Sequence, residues 1–146
     1  MTPATSEEEV SVAPKLPLGI IKNYAITEEL VREFNEKFGH PAPSRPTLLT
    51  KEELALRIKL IDEELDEVKR AFESGRMVDI LKELCDLQYV VDGLFVASGF
   101  DKLKEEGFLL VHTSNMSKLG EDGKPIYRAD GKILKGPNYK PVTDDQ

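Results

Sequence analysis

Between Thr50 and Gly99 the chain carries two apolar patterns of different kinds. In the first, Leu54, Ile58, Ile61, Leu65, Val68 and Phe72 alternate four- and three-residue spacings, which lines them along one seam of a helix. Lys59, Asp62, Asp66, Lys69, Arg70 and Glu73 fall opposite, mixed in sign as a solvated face should be. Thr50-x-x-Glu53 is a capping box that starts this helix; it ends near Glu73, and Gly75 turns the chain. In the second pattern Met77, Ile80, Leu81, Leu84, Leu87, Val90, Val91, Leu94, Phe95 and Val96 cover nearly the whole circumference of a helix from about Met77 to Ser98. A helix apolar all round is a buried one.

Two further helices flank this pair. Thr27 is the expected N-cap of the first, Leu30, Val31, Phe34 and Phe38 its apolar face, and Gly39 its left-handed stop. Asp101 is expected to cap the last, from Lys102 to about Leu119, with Leu103, Phe108, Val111 and Met116 on its core face. His40 to Pro46 holds three prolines in seven residues and reads as an extended connector, with His40 a loop residue. Residues 1–18, acidic, Pro-bearing and poor in aromatics, read as a disordered arm, which leaves 19–146 as one domain. The predicted architecture is all-α: a bundle of four main helices with an extended C-terminal arm. One protomer of that size can hardly enclose a helix apolar on every side, so a homodimer or a dimer of dimers is expected.

Two acidic clusters interrupt the central pair of helices. Glu63, Glu64 and Glu67 share a sector of the first helix with Leu56, Leu60 and Ala71, and Glu83 and Asp86 lie on the helix expected to be buried. An unpaired carboxylate there would cost several kcal/mol or take up a proton. Arg57, at the sector's edge, is the one cation near matching spacing, so a divalent metal is the economical compensation. Hard oxygen-only ligands favour Mg²⁺, with Mn²⁺ as a substitute. Ordinary helix-surface charge is the plain alternative.

Composition narrows the classes. A net charge of -7 and a pI near 5.0 argue against nucleic acid or an anionic membrane as a partner. No apolar run approaches the roughly 18 residues of a membrane span, and the start MTPATSEEEV has no apolar signal region, so a soluble cytoplasmic protein is expected. One cysteine excludes an intrachain disulfide framework, and Cys85 reads as a small core residue.

Glu64-x-x-Glu67 followed by Glu83-x-x-Asp86 resembles the ExxE…ExxD signature of the MazG-like all-α nucleoside triphosphate pyrophosphohydrolases, a group including MazG, dimeric dUTPases and phosphoribosyl-ATP pyrophosphohydrolase. LIDEELDEV, KELCDLQYVVDG, VHTSNMSKL and RADGKILKGPNYKP resemble successive blocks of such proteins, roughly from Thr27 to Pro141. The resemblance implies a helical bundle that binds Mg²⁺ on Glu64, Glu67, Glu83 and Asp86 and cleaves a nucleoside triphosphate between its α and β phosphates, releasing the monophosphate and pyrophosphate. Glu63 matches a residue that in related dimeric enzymes holds metal or activates water, and is the candidate to orient or deprotonate the attacking water.

His112, Asn115 and Lys118 follow at spacing three, and the resemblance places Asn115 and Lys118 near the nucleotide; an exposed polar face is the other reading. The tail from Glu121 to Tyr139 is locally basic. Lys132 and Lys135, then Arg128, are the phosphate candidates there, with solvated charge the alternative for each. Asp130-Gly131 within IYRADGKIL signals a β-hairpin. Tyr89 either stacks on a base or fills the bundle, and Phe34, Phe38 and Tyr89 are the candidates to shape a base pocket. Resemblance to the dimeric dUTPases leans toward pyrimidine deoxynucleotides such as dUTP or dCTP. The rivals are a phosphoribosyl-ATP pyrophosphohydrolase-like enzyme and a non-catalytic helical module whose acids bind a cation or a basic partner.

Overall fold

The capping box at Thr50 forms as the sequence predicts. The Thr50 side chain accepts from the Glu53 N–H, the Glu53 carboxylate accepts from the Thr50 N–H, and helix α2 runs Lys51–Ser74. Gly75 ends it in the left-handed region at φ 70°, as Gly39 ends α1, Thr27–Phe38, at φ 73°. In both places a residue without Cβ lets the last carbonyls be capped by the turning chain. Helix α3 follows as Met77–Ala97, and a 3-10 turn, Asp101–Leu103, leads into α4, Lys104–Met116. This computed structural model describes residues 26–144, so the arm expected over 1–18 lies outside the described residues. Among those residues the protein is all-α, and no helix is long and apolar enough to cross a membrane.

The described residues form two compact units, one up to Asp101 and the other from Lys102. In the first, α3 packs against both α1 and α2, and Val31, Val68, Ala71, Val96 and Ala97 are its buried apolar residues. Arg32 ties the proline connector to this unit: its guanidinium donates to the carbonyls of Ala42 and Pro43 and, through Nε and Nη2, to both carboxylate oxygens of Asp101. The connector also runs tight against the end of α3. A Cβ at Gly99 would stand 2.0 Å from the Arg45 carbonyl oxygen, and the Thr47 N–H bonds Ser98 O.

Several expectations are corrected. Ile26 precedes the first turn of α1, and Thr27 is already helical. On α2 the seam expected to be the core is largely exposed, with Leu54, Ile58, Leu65 and Phe72 between 39% and 57% accessible; of that seam Val68 is buried, together with Arg57 and Ala71. The face turned inward comprises Arg57, Leu60, Glu64, Val68 and Ala71, roughly a quarter turn from that seam. α2 thus carries two adjacent apolar stripes, and the chain's own helices cover only one. On α3 burial is confined to Asp92, Gly93, Val96 and Ala97, whereas Met77, Val78, Leu84, Cys85 and Tyr89 are exposed. Over its first half the apolar circumference is only partly covered, with Ile80, Leu81 and Leu87 half-buried.

The second unit holds α4 and the tail. No residue of α4 is buried, and Phe108, Val111 and Met116, expected in a core, are exposed. Asp101 takes the Arg32 guanidinium instead of serving simply as a helix cap. The tail folds back on the end of α4: Lys140 donates its N–H to Ser117 Oγ, Ser114 Oγ donates to Lys140 O, and the Gly136 N–H bonds Lys118 O. The Asp130-Gly131 turn forms with Gly131 at φ 87°, closed by a single antiparallel bridge between Tyr127 and Ile133.

Candidate active site: a carboxylate cluster beside an apolar cavity

On α2 the residues that face inward place the acids at graded depth. Glu64 lies within the buried face, Glu67 at its edge, and Glu63 on the solvent side, where Lys59 Nζ is 4.0 Å away. α3 presents Glu83 and Asp86 to the same place. One carboxylate oxygen from each of Glu64, Glu83 and Asp86 falls within 4.8 Å of the others. Glu67, the fourth acid of the sequence motif, is not part of that group; its carboxylate accepts from Arg70 Nη1 at 2.8 Å.

The cluster is short of positive charge. Lys82 Nζ bonds Asp86 at 2.9 Å and Glu83 at 3.1 Å, and these two contacts push the ammonium's pKa up. Among the described residues a single exposed ammonium stands against three carboxylates. Burial, then the charges of Asp86 and Glu83, push the Glu64 carboxyl above the ordinary range. A set of half-buried oxygen donors with excess negative charge fits a hard divalent cation, with Glu64, Glu83 and Asp86 holding it and Glu67 near enough on its helix to join.

One helical turn from these acids lies a cavity of about 310 Å³. Leu60 on α2 precedes Glu64 by four residues, and Tyr89 and Val90 on α3 follow Asp86 by three and four, so both helices run directly from cavity to carboxylates. The rest of the wall is Val31, Phe34, Asn35, His40, Leu56, Arg57 and Gly93. Tyr89 meets Phe34 edge to face at 5.6 Å between ring centres; Phe38 does not line the cavity but stacks behind Phe34 at 4.3 Å. The sequence pointed to Phe34 and Tyr89 by residue type. It gave no sign of Asn35 or His40, which reach the wall from the inner side of α1 and from the connector.

The basic and amide candidates all belong to the second unit. Arg128 is bound to the Asp130 carboxylate through Nε and Nη2, Lys135 Nζ sits 4.8 Å above the Tyr139 ring centre, and Lys132 is exposed. Lys118 and Lys135 come from one corner of that unit, because the Gly136 N–H bonds Lys118 O and leaves no room for a side chain: a Cβ at Gly136 would stand 2.4 Å from Leu119 O. Asn115 is exposed on the last turn of α4.

No curated protein matches the chain. A solved structure from Exiguobacterium sp. 255-15, provisionally named an NTP pyrophosphohydrolase, aligns with 80% of this chain and 89% of its own at 26% identity, with a TM-score of 0.43. The sequence profile of the phosphoribosyl-ATP pyrophosphohydrolase family matches residues 31–107, a span that starts in α1, takes in both carboxylate-bearing helices and ends in α4. That span is more than half of the chain, and the protein belongs to this family, within the MazG-like all-α pyrophosphohydrolases.

Proposed function

We propose that the protein hydrolyses a nucleoside triphosphate to the monophosphate and pyrophosphate, with Mg²⁺ or Mn²⁺ on Glu64, Glu67, Glu83 and Asp86. The observation that carries this reading is the adjacency of a carboxylate cluster and an apolar cavity one turn away on the same two helices. A polyphosphate is a poor ligand for acids alone, and a base is a poor ligand for a metal. A nucleotide satisfies both halves at once. A divalent ion bound there offsets the phosphate charge and acidifies a water. The protein's own share is to hold the nucleobase against the Phe34 and Tyr89 rings, to keep Glu64 half-buried beside Glu83 and Asp86, and to offer Glu63 as the group that orients or deprotonates the water. Asn115, Lys118, Arg128, Lys132 and Lys135 supply an amide and cations for sugar and phosphate oxygens.

The test is pyrophosphate release, with and without Mg²⁺, from canonical and modified ribo- and deoxynucleoside triphosphates, with phosphoribosyl-ATP included because the family bears its name. Metal-dependent release from one or a few members is the expected result, with pyrimidine deoxynucleotides such as dUTP and dCTP the leading candidates. Absence of release from every member, with Mg²⁺ bound, would leave a non-catalytic cation-binding module.

The active form we propose is a dimer in the cytoplasm. Leu54, Ile58, Leu65 and Phe72 on α2 and Met77, Val78 and Leu84 on α3 leave a broad apolar surface in water on one protomer, and burying it against a second copy would remove it at about 25 cal/mol per Å². Light scattering is expected to give twice the chain mass of 16.4 kDa. A monomer at micromolar concentration would oppose this.

A further inference from the structure

Arg57 is the residue of the cavity whose chemistry the reaction leaves unused. It is only 6% exposed, it lines an otherwise largely apolar wall, and no carboxylate within ion-pair distance is recorded for it among the described residues. Its guanidinium has five N–H donors in a fixed fork. One interaction is with His40, Nη2 to Nδ1 at 2.6 Å, which makes Nδ1 the acceptor and puts the imidazole proton on Nε2. Nη1 lies beside the bare backbone of Gly93, where an added Cβ would be 3.4 Å away. Burial pulls the Arg57 pKa down, with the charge of Glu53 opposing. A cation kept there with most of its donors uncommitted suits a ligand that supplies an acceptor.

Another polar group on the wall, beside His40 and Tyr89, is Asn35, 1% exposed. Its Nδ2 donates one N–H to Pro41 O at 3.1 Å, which leaves the acceptor Oδ1 and one further N–H. Beside the Phe34 and Tyr89 rings the cavity thus offers a charged donor and a neutral acceptor. A carbonyl next to an N–H on a flat ring answers both. Phosphate does not, because it brings no donor for Asn35 and would meet one cation in an apolar enclosure.

We propose that Arg57 is a specificity-determining residue that donates to the carbonyl of a keto–imide base edge, while Asn35 Oδ1 accepts from the neighbouring imide N–H. Uracil, thymine, hypoxanthine and guanine carry that edge. Cytosine and adenine carry an amino group and an unprotonated ring nitrogen there, which turns donor toward donor and acceptor toward acceptor. This inference rests on the nucleotide reading of the site. It separates dUTP from dCTP, which differ at the atom concerned.

The experiment compares kcat/KM for dUTP against dCTP and for dITP against dATP, in the unaltered protein and in Arg57→Met. A hydrogen bond to a charged donor, lost with the partner left buried, is worth about 10- to 100-fold, so the keto member of each pair is expected to lead by that factor. Arg57→Met should cut both ratios by about tenfold, mainly through loss on the keto substrates, leaving what Asn35 Oδ1 discriminates. Ratios near one in the unaltered protein, or ratios that survive in Arg57→Met, would overturn the proposal. Should Arg57→Met fail to fold, the unaltered protein decides. If no triphosphate is hydrolysed, the pyrophosphohydrolase reading falls, and calorimetric titration of the unaltered protein with dUMP and dCMP still tests the cavity: tighter binding of dUMP supports the assignment, and equal or no binding sinks it.

Discussion

Glu83→Gln and Glu64→Gln are each expected to lower kcat/KM for the hydrolysed nucleotide by more than about 100-fold, since changes one shell outside a metal already cost 10- to 100-fold. The two variants should keep their helix content and, without metal, their thermal midpoint. The sign follows from the charges. Among the described residues three carboxylates meet one ammonium, and burial, then the charges of Asp86 and Glu83, push the Glu64 carboxyl up, so removing one negative charge relieves repulsion. Metal should separate these variants from the parent: the rise in midpoint on adding Mg²⁺ would shrink sharply, because a ligand that binds only the folded state stabilises it in proportion to its affinity. Unchanged turnover in either variant would remove the metal assignment. Loss of both activity and metal-free stability would mean that the carboxylate holds the bundle together.

Several local signals in the chain carried through, though not the caps expected at Thr27 and Asp101, and the facial reading of α2 did not. Thr50 with Glu53, and Gly39 and Gly75 after their helices, act through neighbours a few residues away, and all stand where the sequence put them. The acids at 64, 83 and 86 were legible because they break apolar strips, and they converge. Which stripe of α2 faces α3 was not legible. Leu54, Ile58, Leu65 and Phe72 are as periodic as a core seam, yet the chain's own helices pack against the stripe containing Arg57, Val68 and Ala71. Periodicity reports that a face wants cover and is silent on what covers it. The cavity's polar groups were hidden for another reason: His40 and Arg57 are 17 residues apart, and their contact depends on how the proline connector is folded back. Arg57 was visible as a lone cation beside acids, but its burial made it a reader of something other than those acids.

The connector's position in turn depends on Arg32, and Arg32→Met is expected to cost about 3–5 kcal/mol, the range for removing one member of a buried charge pair. The Arg32 fork donates to Asp101 at 2.6 and 2.9 Å, and the Asp101 side chain is 5% exposed. The same fork satisfies Ala42 O at 2.8 Å and Pro43 O at 2.7 Å in a segment whose prolines offer no N–H donors of their own. Truncation therefore takes the guanidinium fork from the carboxylate and from both carbonyls together. Arg32→Lys keeps the charge and loses the fork, so it should recover only part of the difference. Adding Asp101→Leu to Arg32→Met removes the charge that the fork answered and should be less destabilising than the two single changes summed. Urea unfolding of the four proteins reads all of this. A cost below about 1 kcal/mol for Arg32→Met would place the pair among ordinary surface ion pairs. The same variant should also weaken nucleotide binding without touching the carboxylates, because His40 lies on the connector that Arg32 holds, and His40 is what orients Arg57 in the cavity.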